Sequence, residues 1–248
     1  MTFVVDTTKV DISHDHVFEK NTALKWWPWI GKEFQNSKNK TLILGESTYI
    51  WEATKTDEIE RKTEEAKIRE RIDRNDHLRI LHQNHALKFD RASKYVRNIE
   101  RAIFQMKAPS VEDKEKLWAF VSYHNLVLRP MSTLKDRPTE ADYGAGWKEM
   151  LNLATLLEID QCIVYGLEWK KINALLLILK SQVASGDLTY TRRKLTKKIG
   201  RSSPCVITIE TKGRRMNMLF IRHPSAFFNW KTWGAVIATE ISSPIATC

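Results

Sequence analysis

Residues Met216–Ser225 read MNMLFIRHPS, an apolar strand-forming run that ends on histidine, proline and serine. Proline lacks the N–H that a strand interior requires, so the strand must stop there and hand His223 to a loop. Three other stretches have the same build: TLILGES at Thr41–Ser47, AFVSYHNLVL at Ala119–Leu128 and QCIVYG at Gln161–Gly166. Apolar runs of this kind suit strands covered on both faces, as in a parallel sheet. Between them the period changes. PTEADYGAGWKEMLNLATLLEI places Thr139 to cap a helix behind Pro138, and LEWKKINALLLILKSQ is helical by length and spacing. Strands alternating with helices predict an α/β fold with right-handed crossovers. In such open sheets ligands bind beyond the carboxyl ends of the strands. Here those ends carry Gly45-Glu46-Ser47, Asn125 and His223-Pro224-Ser225.

Two segments depart from this pattern. From Glu52 to Met106 the chain is densely charged with both signs and contains neither Gly nor Pro; Ile59, Ile68, Ile72, Leu78 and Leu81 give a sparse apolar stripe. The expectation is two or three helices projecting from the sheet with a solvated outer face, an insertion at about residues 52–117 of a single domain. His77, His82 and His85 fall within it without a carboxylate pattern, so surface or cap roles are expected ahead of a metal site. The second segment, Tyr190–Arg215, holds nine basic residues (192, 193, 194, 197, 198, 201, 212, 214 and 215) against the one acid Glu210. It reads as a basic arm followed by a β-hairpin, CVITIETKGRRMNMLFI, turning at Gly213. Positive charge thus leads directly into His223.

The whole chain of 248 residues carries a formal net charge of +10 and a pI near 9.5. That balance favours a polyanionic partner, with nucleic acid first, because basic side chains release counterions from phosphates. Its three cysteines, Cys162, Cys205 and Cys248, are far apart and odd in number, which argues against a disulfide framework or a structural zinc site and for a reducing compartment. The start, MTFVVDTTKVDISHD, has no basic region leading into a long apolar run, and INALLLILK is too short to cross a bilayer. A soluble cytoplasmic protein is expected, with no membrane partner.

The order of these landmarks resembles the uracil-DNA glycosylase superfamily. LILGESTY at Leu42–Tyr49 is similar to the first motif, a strand ending in Gly before an acidic or amide residue and a tight loop. HNLVLRPMSTLKDRPTEAD at His124–Asp142 is similar to the strand bearing the base-reading Asn, with its following Arg-Pro and second Pro. CIVYGLEW resembles the apolar strand ending in Gly, and IRHPSAFFNW the second catalytic motif. The likeness covers roughly Trp26–Trp51 and Trp118–Trp233. It implies a three-layer sandwich whose central four-stranded, mainly parallel sheet is flanked by helices, here with the charged insertion and the basic hairpin added. It also implies a monofunctional DNA glycosylase, a hydrolase of N-glycosidic bonds that flips out a damaged or modified base.

That chemistry explains the residue types. Cleavage leaves the base as an anion while the sugar gains oxocarbenium character, so a donor aimed at a base carbonyl acts mainly on the transition state. His223 is the candidate donor, and Asn125, with an amide donor and acceptor, the reader of a pyrimidine edge. Capping a turn is the other use of Asn125. Ser225 and the neighbouring loop amides would hold a phosphate, while Phe227 or Phe228 would wedge into the stack, core packing being the competing use for at least one of them. Lys194, Lys197, Lys198 and Arg201 would contact the DNA backbone. The best-known members carry an Asp after the position of Glu46 to place the attacking water; Ser47 stands there instead. Glu46 is then the nearest carboxylate for water, with loop tying as its other use. Tyr49 matches a Tyr that closes the base pocket against a 5-methyl group, and with small Ser47 beside it a shifted Tyr49 would admit a 5-substituted base. Uracil or a modified pyrimidine, such as a modified cytosine of viral DNA, is the expected substrate, in repair or antiviral defence. Branches with an iron–sulfur cluster use four cysteines, so three predict none; no cofactor or metal is expected, and the protein is expected to be a monomer. The rival expectation is a catalytically inactive nucleic-acid-binding module on the same fold.

Overall fold

The computed structural model describes residues 4–50, 56–87, 93–133, 135–196, 198–225 and 227–245. The four apolar runs become neighbouring parallel strands, β2 (Thr41–Gly45), β4 (Val121–Asn125), β6 (Gln161–Tyr165) and β9 (Arg214–Ile221), in the order β4-β2-β6-β9. The sheet does not end with them. It has seven strands, not four, and mixed orientation. β1 (Trp29–Ile30) lies antiparallel outside β4, while β8 (Cys205–Thr211) and β7 (Leu188–Lys194) continue antiparallel beyond β9. The hairpin turn at Lys212-Gly213 folds β8 back onto β9, so that hairpin joins the sheet. Its outer edge then takes β7, and the basic arm is an edge strand as far as Lys194. A separate pair, β3 (Thr48–Tyr49) and β5 (Pro130–Met131), links the loops after β2 and β4.

Alternation along the strands makes two cores. Leu42, Leu44, Cys162, Val164, Met218 and Phe220 face α6 (Glu140–Leu156) and α7 (Trp169–Ala184), with Phe18 of the short α1 (Asp15–Phe18) completing that layer. Ile43, Tyr123, Ile163, Tyr165, Leu219 and Ile221 face the other layer. That second layer is built from α2 (Glu58–Asp73), α3 (His77–Ala86), α4 (Lys94–Phe104), α5 (Val111–Phe120) and α8 (Trp230–Glu240). Thr139 caps α6 as its sequence predicts, its hydroxyl accepting from the Asp142 N–H in a reciprocal box. Among the described residues no helix is long and apolar enough to cross a membrane.

The charged segment is therefore not a projection. α3, α4 and α5 are structural helices against the sheet, and α2 alone among the four keeps most of its surface in solvent, burying Ile68 and Ile72. The buried face of α3 is disguised by polar residues, of which Arg79 is fully partnered. Arg79 makes paired bonds to the Asp15 carboxylate at 2.7 and 2.9 Å and a third to the Pro28 carbonyl at 2.7 Å. His77 and His82 are buried too, contrary to a surface role: His82 packs among Trp29, Trp118 and Tyr123. Burial holds His77 down to about 4 and His82 well below its ordinary value, so both are neutral. Among the described residues no group of three or more His, Cys, Asp or Glu side chains is placed to hold a metal. Trp26, Trp29, Trp118 and Trp147 are likewise buried, and each indole N–H finds an acceptor, at Ile72 O, Trp118 O, Glu100 Oε1 and Lys171 O.

Candidate functional site

The carboxyl edge of the parallel strands gathers the chemistry. Gly45 ends β2 in register with Asn125, the last residue of β4. A side chain at Gly45 would place its Cβ 2.2 Å from Asn125 Oδ1, so only glycine lets the amide lie across the strand end. Asn125 is buried, its Oδ1 accepting from the Tyr123 hydroxyl at 2.9 Å and its Nδ2 donating to Thr48 Oγ1 at 2.9 Å. An amide offers two hydrogens and two lone pairs, so one of each remains for a ligand. The backbone N–H groups of Leu126 and Val127 bond the carbonyls of Gly45 and Glu46, which fixes the two loops to each other.

Glu46 turns toward the other layer. Its Oε1 accepts from Lys171 Nζ at 2.6 Å and from the Tyr143 hydroxyl at 3.0 Å. Burial opposes ionisation of this carboxyl, but the charge and hydrogen bond of Lys171, with help from His223 and Tyr143, outweigh it and hold Glu46 below the usual range. Burial, followed by the Glu46 charge, pushes the Tyr143 phenol well above its ordinary value, so the hydroxyl stays a donor. Lys171 is fully buried and spends its remaining contacts on the Tyr165 carbonyl at 2.6 Å and Glu168 Oε2 at 3.1 Å. Gly166, at φ +96°, makes room for it; a Cβ there would come within 2.3 Å of the ammonium.

His223 lies two residues past the end of β9, the strand beside β6. Its Nδ1 accepts the Ser225 backbone N–H at 3.2 Å, which leaves the proton on Nε2. Burial lowers its pKa; Glu46 and Glu168 act the other way and Lys171 adds to the lowering, with a neutral ring the outcome. The ring sits edge-on to Tyr95 and Tyr165. Asn98 of α4 holds the loop by donating to the Pro224 carbonyl at 2.6 Å.

Glu46, Asn125 and His223 thus lie along one edge, with Asn125 ending β4 and His223 in the loop after β9, the two outer strands of the four-strand parallel block. Ser47 sits half-buried on the turn between β2 and β3, and Tyr49 in β3 packs against the α6 and α7 layer close to Tyr143. Ser225 is half-buried beside His223. The two phenylalanines separate sharply. Phe227 is 89% exposed with a left-handed backbone at φ +50°, whereas Phe228 is buried and stacked on Trp233, which removes it from any nucleic-acid face.

Lys194 ends β7 in the row that runs through Cys205 and Phe220, so the basic run leaves the sheet at the same edge as His223. Lys198 and Arg201 follow on the exposed connection to β8, Arg201 in the turn closed by Ile199 and Ser202; Lys197 lies outside the described residues. The acid nearby, Glu240, is taken by Arg193. A cleft of about 410 Å³ lined by Thr191, Arg193, Val206, Thr208, Arg215, Asn217 and Glu240 runs across β7, β8 and β9 on the face that α8 covers.

Sequence reading missed Lys171, Tyr143 and Asn98. For Lys171 a signal exists: it shares a helix face with the apolar Ile172, Leu175 and Leu179, where a cation must have an internal partner. Compared with protein-family models, curated proteins and solved structures, the chain matches none.

Proposed function

We propose that this chain is a monofunctional DNA glycosylase that excises uracil or a modified pyrimidine by hydrolysis, in repair or in defence against foreign DNA. The observation that carries the reading is the pairing at the carboxyl edge of a neutral His223, with its proton on Nε2, and an ionised Glu46. The Nε2–H donates to a carbonyl oxygen of the flipped base and strengthens as that oxygen gains negative charge. Asn125 reads the base edge with its remaining hydrogen and lone pair. Glu46 has its Oε1 occupied by Lys171 and Tyr143, so Oε2 is the atom that orients water, and its charge favours the oxocarbenium sugar. Lys171 makes three contacts, matching the three hydrogens of an ammonium, and so has no lone pair for a Schiff base. Lys194, Lys198 and Arg201 hold the DNA backbone without touching the reacting base.

A second reading, a binding module without catalysis, is favoured by the internal bonds that engage both polar atoms of Asn125. One experiment separates the two. Purified protein is incubated with single-stranded and duplex oligonucleotides carrying uracil, hypoxanthine or modified cytosines, then treated with alkali. Strand cleavage at one base identifies the enzyme and its substrate; tight binding to every oligonucleotide with no abasic product sinks the glycosylase reading in favour of the module.

A further inference from the structure

Trp169 opens α7 and is 58% exposed, although the buried face of that helix is supplied by residues further along. Its indole has a partner of another kind: the Arg192 guanidinium of β7 lies 5.2 Å from the ring centre. Phe227 repeats the arrangement, with the Arg222 guanidinium 5.5 Å from its ring. A bulky residue pays for a left-handed backbone, and at Phe227 the result is a ring held out in solvent, not one packed inside. The first pair joins the start of α7, just after β6, to the edge strand β7, and the second stands on the connection that follows β9, the neighbour of β6; His223 lies on that connection too. Lys170 beside Trp169, and Lys194 beyond Arg192, are exposed as well.

We propose that Trp169 and Arg192 form a stacking platform for an unpaired base, so that single-stranded DNA is the nucleic acid this edge accepts. The proposal deepens the nucleic-acid reading above and rests on it. A duplex buries the faces of its bases against each other and offers an exposed indole nothing to stack on. A single strand presents free base faces, and its phosphates meet the local positive charge of Arg192, Lys170 and Lys194. Stacking tolerates any sequence because every base has a π face. The platform therefore holds a neighbour of the target nucleotide and carries no base specificity, which stays with Asn125 and His223.

The test is equilibrium binding of the full chain to a labelled oligothymidylate and to a duplex of equal length, with no excision required. Trp169→Ala should weaken oligothymidylate binding by about 5- to 150-fold, the range for one lost base stack, and leave duplex binding nearly unchanged. Trp169→Phe, which keeps an aromatic face, should restore most of the loss. Arg192→Gln should weaken single-strand binding and flatten its salt dependence by about 0.7 in log–log slope. Because Trp169 is exposed, unfolding curves of these variants should overlay that of the wild type, which excludes misfolding as the cause. Wild-type affinity of Trp169→Ala for oligothymidylate, or an equal loss on single strand and duplex, overturns the platform. If binding depends on Trp169 but no base is ever released, the platform stands and the enzyme reading falls; if excision occurs and Trp169→Ala binds like wild type, the platform alone falls. A protein that binds neither DNA overturns both.

Discussion

At the scale of single residues the candidate site is a balance of one buried and one half-buried charge, Lys171 and Glu46, with the exposed Glu168 beside them, and one neutral ring. Lys171 has no water to solvate it, so its carboxylate partners are a condition of its burial. Lys171→Met should cost about 3–5 kcal/mol in urea unfolding, the usual penalty for orphaning one partner of a buried pair, here Glu46. Glu46→Gln should cost less, because the ammonium keeps Glu168 and the Tyr165 carbonyl. Equal stability of Lys171→Met and wild type would mean the pair is not buried in solution. His223→Ala should slow single-turnover excision by about 10²–10³-fold, as for a lost donor to a developing oxyanion, while DNA affinity holds. Burial keeps the His223 pKa below its ordinary value, so the neutral donor is already present at neutral pH. The excision rate should therefore be flat from pH 8 down through about 6.5 and fall only below that, as a proton added at Nδ1 removes the acceptor for the Ser225 N–H that holds the ring in place. A rate that falls already between pH 8 and 7 would mean that protonating His223 is not what limits it.

At the scale of elements the sequence reveals strands better than it reveals their neighbours. The four parallel strands, the α6 cap at Thr139, the length of α7 and the hairpin were legible because each is written in local pattern: apolar runs, a capping box, helical spacing, alternation about a Gly. β7 was hidden because LTYTRRK offers only Leu188 and Tyr190 to a core, and its pairing depends on β8 having already folded back. The second helical layer was hidden for the opposite reason, since Gln83, Asn98 and Arg79 occupy inward positions that only their partners, distant in sequence, make tolerable, and His82 points inward among aromatic rings alone. Glu46, Asn125 and His223 were legible as strand ends, but Lys171 and Tyr143, which set the state of Glu46, come from helices on the far side of the loop. β7 also carries a prediction of its own. Its run continues past Lys194 into Lys198 and Arg201, all exposed. Replacing the three with Gln should weaken binding to unrelated DNA sequences alike and flatten the log K against log salt slope by up to about 0.9 per residue on duplex or about 0.7 on single strands. Excision from the saturated complex should change little. Identical slopes for variant and wild type would place the DNA contacts on another surface.

At the scale of the whole molecule, stability rests on two layers with different chemistry. The α6 and α7 layer is apolar but for the Lys171–Glu46 pair at its carboxyl edge, while the layer of α2 to α5 and α8 buries ionisable groups among its aromatics. Glu100 of α4 is the clearest case: Oε1 accepts the Trp118 indole N–H at 2.8 Å, and Oε2 has no hydrogen-bond partner among the described residues. Burial pushes its carboxyl up to about 7 from an ordinary 4.5, only partly offset by the Trp118 bond. The sign of the consequence follows from proton counting. Between about pH 4.5 and 7 the folded protein holds a proton that the unfolded chain has released, so stability falls as pH rises through that window; above it both states are ionised and the loss is complete. Glu100→Gln cannot ionise and retains a carbonyl oxygen for Trp118. Whatever constant cost its amide hydrogens bring, its stability relative to wild type should rise by on the order of 3 kcal/mol from pH 4 to pH 8, the equivalent of the 7 − 4.5 difference. Urea midpoints of both proteins across that range measure the effect directly. Parallel curves would mean that Glu100 reaches water in the folded state, and that the second layer is more open than its packing against the sheet implies.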